Sequence, residues 1–131
     1  MKLLLDTHIW LWSLVDPGQL SPRVFAAIGD ADHELWLSPV SVWEFLTLVR
    51  KGRLKVAGDV HEWLTEALQR APLREAPVTH DVAIESQRLR LPHWDPADRF
   101  IAATCRLLGA TLVTADERLI EAKGLSVLAN R

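Results

Sequence analysis

The sequence predicts an α/β fold, a parallel sheet with helices on both faces, and three observations carry that expectation. Short apolar runs of strand length alternate with longer segments of helical pattern along the whole chain. Turn-forming residues mark the junctions, and no linker, repeat or low-complexity tract interrupts the alternation. Strand–helix–strand units close through right-handed crossovers, which make neighbouring strands parallel and cover the sheet with helices.

The elements follow in order. Residues 2–6 (KLLLD) form an apolar run ending in an acid, as a buried parallel strand would. A nearly all-apolar helix over residues 8–15 stops at the turn Asp16-Pro17-Gly18. Ser21-Pro22 starts a second helix that runs to residue 28, and residues 34–38 (ELWLS) are the next strand. The helix over residues 39–50 carries Val42, Phe45, Leu46 and Val49 on one face and closes at Gly52. Asp59 caps a helix reaching residue 70, and LREAPV supplies a strand at 73–77. A helix over 80–90 ends before Pro92, and Asp95-Pro96 opens a helix closing at Gly109. The strand ATLVT (110–114), a helix over 116–122 and the strand LSVLA (125–129) complete the chain.

A chain of 131 residues is expected to form one domain and to bury about two-thirds of its unfolded surface. With 49% hydrophobic and 24% charged residues it has a globular composition. No apolar run reaches the roughly 18 to 20 residues a membrane span requires. The N-terminal MKLLLDTHIWLW is interrupted by Asp6 and His8 and lacks a small-residue cleavage site, so it reads as strand plus helix rather than signal peptide. Cys105, the only cysteine, excludes an internal disulfide and a cysteine-based zinc cluster. On the apolar side of IAATCRLL it reads as a buried small hydrophobe, which suits a cytoplasmic protein. The formal charge of −2 argues against a polyanionic partner only if the acids are spread evenly. Gathering four of them in one site would leave the remainder net positive.

Four acids are placed to do that. Sites in open α/β sheets form outside the carboxyl ends of the strands. Asp6 ends the first strand, Asp116 follows the fourth, and Glu44 and Asp98 lie early in helices that start at the same edge. Each also has a purely structural reading. Asp6 is an N-cap, Glu44 completes a capping box with Ser41, Asp116 is a bystander in a box formed by Thr114 and Glu117, and Asp98 favours the helix macrodipole. Those readings leave unexplained why all four collect at one end of one sheet. Two carboxylates about 6 Å apart repel by roughly 3 kcal/mol at an effective dielectric near 20, so the set calls for a cation or for protons. An all-oxygen site suits Mg²⁺ or Mn²⁺, and zinc fits less well because no two histidines have ligand spacing.

The segments LLLDTH, SVWEF followed by KGRL, DPADRFIAATC and LVTADERL, in this order and at these separations, resemble PIN-domain ribonucleases, specifically the VapC-type toxins of bacterial toxin–antitoxin systems. The resemblance spans essentially the whole chain. It implies a PIN-like three-layer α/β/α sandwich on a five-stranded parallel sheet, and metal-dependent hydrolysis of RNA phosphodiester bonds. By position Asp6, Glu44, Asp98 and Asp116 match the family's four acids, the catalytic and metal-holding residues. Asp95 belongs to a DPxDR variant of one branch and otherwise serves as the N-cap beside Pro96. The resemblance further implies a small cognate antitoxin and operator DNA bound only through that antitoxin; the excess apolar surface suits a homodimer or an antitoxin groove, and no membrane association is expected.

Four lesser candidates for substrate binding are Thr7, Thr114, Arg99 and Trp94. Thr7 and Thr114 are placed to hydrogen-bond a metal-bound water or a phosphate, or to shape helix starts. Arg99, beside Asp98, suits an acid partner or the RNA backbone. Trp94 is the best base-stacking candidate among six tryptophans, whereas Trp10, Trp12, Trp36 and Trp43 sit in apolar patterns and are expected in the core or an interface. His93 is near enough to contact substrate, and His8 is expected to pack along the first helix.

Other classes fit less well. A phosphoacceptor receiver module would need adjacent acids after the first strand and a lysine after the last, and LLLDTH and LSVLANR supply neither. Haloacid dehalogenase-like phosphatases place a second aspartate where this chain has His8. An inactive PIN scaffold that binds only RNA or protein would have no use for the intact acid set.

Overall fold

The computed structural model describes residues 1–70, 72–92 and 95–131. Five parallel strands, β1 (Lys2–Leu5), β2 (Glu34–Leu37), β3 (Leu73–Glu75), β4 (Thr111–Thr114) and β5 (Val127–Ala129), lie in the order β3-β2-β1-β4-β5. The helices are α1 (Thr7–Val15), α2 (Pro22–Gly29), α3 (Pro39–Arg50), α4 (Val60–Arg70), α5 (His80–Arg88), α6 (Pro96–Leu108) and α7 (Glu117–Ile120). This is the expected α/β architecture on five strands.

The central strand shows why the sheet carries a layer on each face. Successive side chains of a strand point to opposite faces. Leu3 and Leu5 accordingly join the core that includes Ile9, Trp10, Val24 and Phe45, and Leu4 joins the one with Ile101, Ala102, Cys105, Leu112 and Leu119. All three leucines are buried, each worth roughly 1.5 to 3 kcal/mol. Cys105 is buried as expected, and burial pushes its thiol up to about 12.

Several boundaries move by a turn or less. The turn at Asp16 becomes a 3₁₀ turn over Pro17–Gln19. The helix α5 stops at Arg88, and its C-cap Leu89 is extended (ψ 138°). The strands β3 and β5 are shorter than the segments expected for them, and each sits at a sheet edge with one neighbour.

Of the four tryptophans expected in the core or an interface, one lies outside the core. Trp10 is buried and Trp12 and Trp36 are partly buried, but Trp43 is 61% exposed. The helix α3 buries Ser41 and Phe45, and Trp43 lies on its outer side with Arg50, a spacing of i, i+7. Trp94 and His93 lie outside the described residues.

The chain runs from β1 outward to β2 and β3, then crosses to β4 on the other side of β1. The order therefore reverses between β1 and β4, and the carboxyl ends of those strands flank the crevice where such sheets bind ligands.

Candidate active site and metal centre

Asp6 is the first residue past β1 and the N-cap of α1. Its Oδ1 accepts from the Thr7 amide at 2.9 Å, and its Oδ2 accepts from Thr114 Oγ1 at 2.6 Å. The pairing of Leu5 with Val113 brings Thr114 opposite it. Thr114 Oγ1 in turn accepts from the Asp116 amide at 3.0 Å, so a single buried hydroxyl spaces the first and last acids.

Glu44 reaches the same crevice from α3. Thr7 Oγ1 lies 2.5 Å from Glu44 Oε1 and 2.9 Å from Ser41 Oγ. A hydroxyl has one proton to give, and the carboxylate is the stronger acceptor, so Thr7 donates to Glu44 and Ser41 completes the chain. Two local readings of the sequence are thereby corrected. The N-cap of α3 is Ser38, whose Oγ accepts from the Val40 amide, so Ser41 and Glu44 form no capping box. The cap of α7 is Asp116 itself, and Thr114 closes β4.

Asp98 sits in the first turn of α6 and is 9% exposed. Asp95 caps that helix, its Oδ1 accepting from the Ala97 amide at 3.0 Å. Arg118 closes the far side, its Nη2 lying 3.0 Å from Asp116 Oδ2 and 3.7 Å from Asp98 Oδ2. Asp6, Glu44, Asp95, Asp98 and Asp116 thus line one cavity of about 370 Å³ at the carboxyl edge of the sheet, joined by Arg118.

Burial sets the electrostatics. It pushes the Asp6 carboxyl above the usual carboxylate range, against the lowering effect of its bonds from Thr114 and Thr7. Glu44 is raised for the same reason, opposed by the Thr7 bond and reinforced by the charges of Asp6, Asp98 and Asp95. Among the described residues, no three acidic, histidine or cysteine side chains stand close enough together to hold a metal ion. Asp6, Glu44 and Asp116 are instead turned onto protein donors. The donor chemistry still fits a hard divalent cation: every candidate ligand is a carboxylate oxygen, and two of the carboxyls are raised by burial. The cation that bridges Asp98 and Asp116, Arg118, has a side chain about half exposed.

The lesser candidates divide. Thr7 and Thr114 are buried and each donates to a carboxylate, Thr7 to Glu44 and Thr114 to Asp6, and Thr7 also lines the cavity. Arg99 is also buried, its Nε and Nη2 donating to the Ser86 and Leu89 carbonyls, so it ties α6 to the end of α5 and offers no exposed face to RNA. His8 is exposed at the cavity rim, its ring 5.8 Å from that of Trp12. Arg118 was not among the sequence candidates. Its signal was an arginine two residues after a helix-capping aspartate, in a first turn where a cation opposes the macrodipole.

The sequence pattern of the PIN domain matches residues 3–125. The chain is 36% identical over 118 residues to ribonuclease VapC22 of Mycobacterium tuberculosis, covering 89% of this chain and 88% of that protein. The chain belongs to the PIN-domain family and, within it, to the VapC type. Its fold matches the DNA-bound VapBC complex of Salmonella typhimurium (TM-score 0.72, 15% identity, 100% and 99% of the two chains). It matches VapBC2 of Rickettsia felis, bound to a promoter DNA fragment, at a TM-score of 0.71 with 17% identity and 98% of each chain. Among the described residues no helix is long and apolar enough to cross a membrane.

Proposed function

We propose that the protein is a Mg²⁺-dependent endoribonuclease, the toxin of a VapBC-type pair, with Asp6, Glu44, Asp98 and Asp116 as its catalytic acids. The observation that carries this reading is the convergence of five carboxylates on one cavity at the switch point of the sheet. Membership of the VapC type supports the choice of RNA as substrate and of a small cognate antitoxin as partner.

Asp6, Asp98 and Asp116 would hold Mg²⁺, or Mn²⁺, with Glu44 directly or through water. The chemistry such an ion supplies when bound is acidification of a water and neutralisation of phosphate charge in a phosphodiester hydrolysis. The protein's own groups do the rest. Thr114 ties the Asp6 carboxylate to the backbone amide of Asp116, and Thr7 holds Glu44 at the cavity through its Oε1. Asp95 holds the first turn of α6 and thereby the direction of Asp98. Arg118, once off Asp116 and Asp98, is within the same cavity and suited to a phosphate oxygen.

An antitoxin segment laid over this cavity would silence it, and operator DNA would be met through the antitoxin. Pairing with a second copy and action in the cytoplasm belong to the same reading. The test is incubation of the purified chain with single-stranded RNA in Mg²⁺, in Mg²⁺ plus EDTA, and as Asp98→Asn. Cleavage confined to the first arm is expected. Cleavage that persists in EDTA, or in the Asp98→Asn protein, would overturn the assignment, and no cleavage in any arm would favour the inactive scaffold or a receiver-like module.

A further inference from the structure

A second cavity of about 370 Å³ adjoins the acid pocket, and Thr7, His8, Glu44 and Asp95 line both. Its other walls are of a different character. Trp43 and Thr47 come from α3, Lys51 and Arg53 from the turn that ends it, and Pro96 from the start of α6. Gly52, at φ 72°, makes that turn, in a left-handed conformation that only glycine adopts without strain. Lys51 and Arg53 are exposed, and neither enters an ion pair among the described residues.

The stability of the fold explains little of this groove. Trp43, 61% exposed, adds little to the core. Lys51 suits the negative end of α3, but Arg53 lies beyond the helix. Chemistry adjacent to the acids gives the set a purpose. A polyanion that must enter a pocket of five carboxylates needs cations at its flank, and an exposed indole offers a sequence-tolerant face for a base.

We propose that this groove is the substrate-binding extension of the acid pocket, taking single-stranded RNA with one base stacked on Trp43 and neighbouring phosphates met by Lys51 and Arg53. The inference rests on the ribonuclease reading for the identity of the polyanion. Stacking on Trp43 requires a base withdrawn from its own stack, so the groove selects a single strand or an open loop over a duplex.

The test is fluorescence anisotropy of a labelled single-stranded RNA decamer of mixed sequence, titrated with Asp98→Asn protein in Mg²⁺ so that the RNA survives. Adding Trp43→Ala should weaken binding roughly tenfold or more, and Trp43→Phe should restore most of it. Lys51→Gln with Arg53→Gln should weaken binding and flatten the salt dependence by roughly 1.4 in log–log slope, about 0.7 for each phosphate left without its cation. The matching duplex should bind more weakly and ignore Trp43. The exposed positions make misfolding easy to check by thermal melting. Wild-type affinity in Trp43→Ala, or equal dependence on Trp43 for the duplex, would overturn the proposal. So would variants that bind RNA normally but lose a co-expressed antitoxin, which would assign the groove to that protein. Cleavage by the unmutated chain is assayed alongside. Trp43-dependent binding without cleavage would sink only the ribonuclease reading, and cleavage with Trp43-independent binding only the groove.

Discussion

The acid pocket and the Trp43 groove share four residues and are built on opposite principles. In the pocket the working groups are fixed: Asp6 and Glu44 are raised by burial, and Thr7, Thr114 and Arg118 hold carboxylates by named hydrogen bonds or ion pairs. In the groove Trp43, Lys51 and Arg53 are exposed. Groups that must meet a cation and a reacting phosphate at set positions are held by buried partners, because a small displacement costs rate. Groups that meet an arbitrary stretch of backbone and base need reach more than precision. Substitutions should therefore separate chemistry from binding.

The largest effect is expected inside the pocket. Asp6→Asn and Asp98→Asn should each lower cleavage by roughly 10²- to 10³-fold or more while melting within a few degrees of the parent chain, since both retain a polar side chain of the same shape. Asp95→Asn sharpens the contrast. Asparagine caps a helix about as well as aspartate, so a loss below roughly tenfold is expected. If it equals the Asp98→Asn loss in a side-by-side single-turnover assay, Asp95 acts on the substrate and the division between cap and ligand fails.

Those two acids also show what could be read in advance. The fold was legible because short apolar runs of strand length alternate with helical patterns, and the acids because strand ends and helix starts fall at one edge of a parallel sheet. The partners were less legible. Arg99, adjacent to Asp98, turns onto α5, whereas Arg118, twenty residues on, lies against it. Sequence proximity on a helix does not set direction, because successive residues diverge by about 100°. The same rotation carries Trp43 away from the side of Phe45, although both sit in one apolar run. Ser41 imitates a cap in the sequence, but the Ser38-Pro39 start precedes it by one turn.

An intermediate effect should follow Thr7→Val, which keeps the shape and removes the hydroxyl between Glu44 and Ser41. Leaving buried polar groups unmatched costs roughly 1 to 3 kcal/mol, seen as a lower melting temperature, and kcat should fall more than KM rises. A change confined to KM would place Thr7 with the groove rather than the pocket. Arg118→Gln tests the pocket's other support. An exposed ion pair contributes little, so calorimetry should find Mg²⁺ bound up to about fivefold more tightly once the competing cation is gone. Weaker Mg²⁺ binding would mean that Arg118 helps to build the site instead of occupying it.

The smallest effect concerns stability and runs opposite to activity. Burial raises the Glu44 carboxyl, so the folded state prefers its protonated form. The stability gained from that preference is complete below the unfolded carboxylate range and is lost as pH rises through the folded value. Above that folded value and without metal the protein therefore carries an ionised group that folding disfavours. Glu44→Gln removes that charge and still accepts from Thr7, so in EDTA at pH 7.5 it should melt a few degrees above the parent chain. The advantage should shrink as pH falls through the carboxylate range and vanish where Glu44 is protonated in both states. Saturating Mg²⁺ should narrow or reverse it, because ligand binding stabilises the parent by mass action and the variant less. Melting curves over pH, with and without Mg²⁺, decide the matter. A variant less stable than the parent at pH 7.5 in EDTA would show that the Thr7 bond to a charged carboxylate outweighs its burial, making Glu44 a stabilising part of the fold.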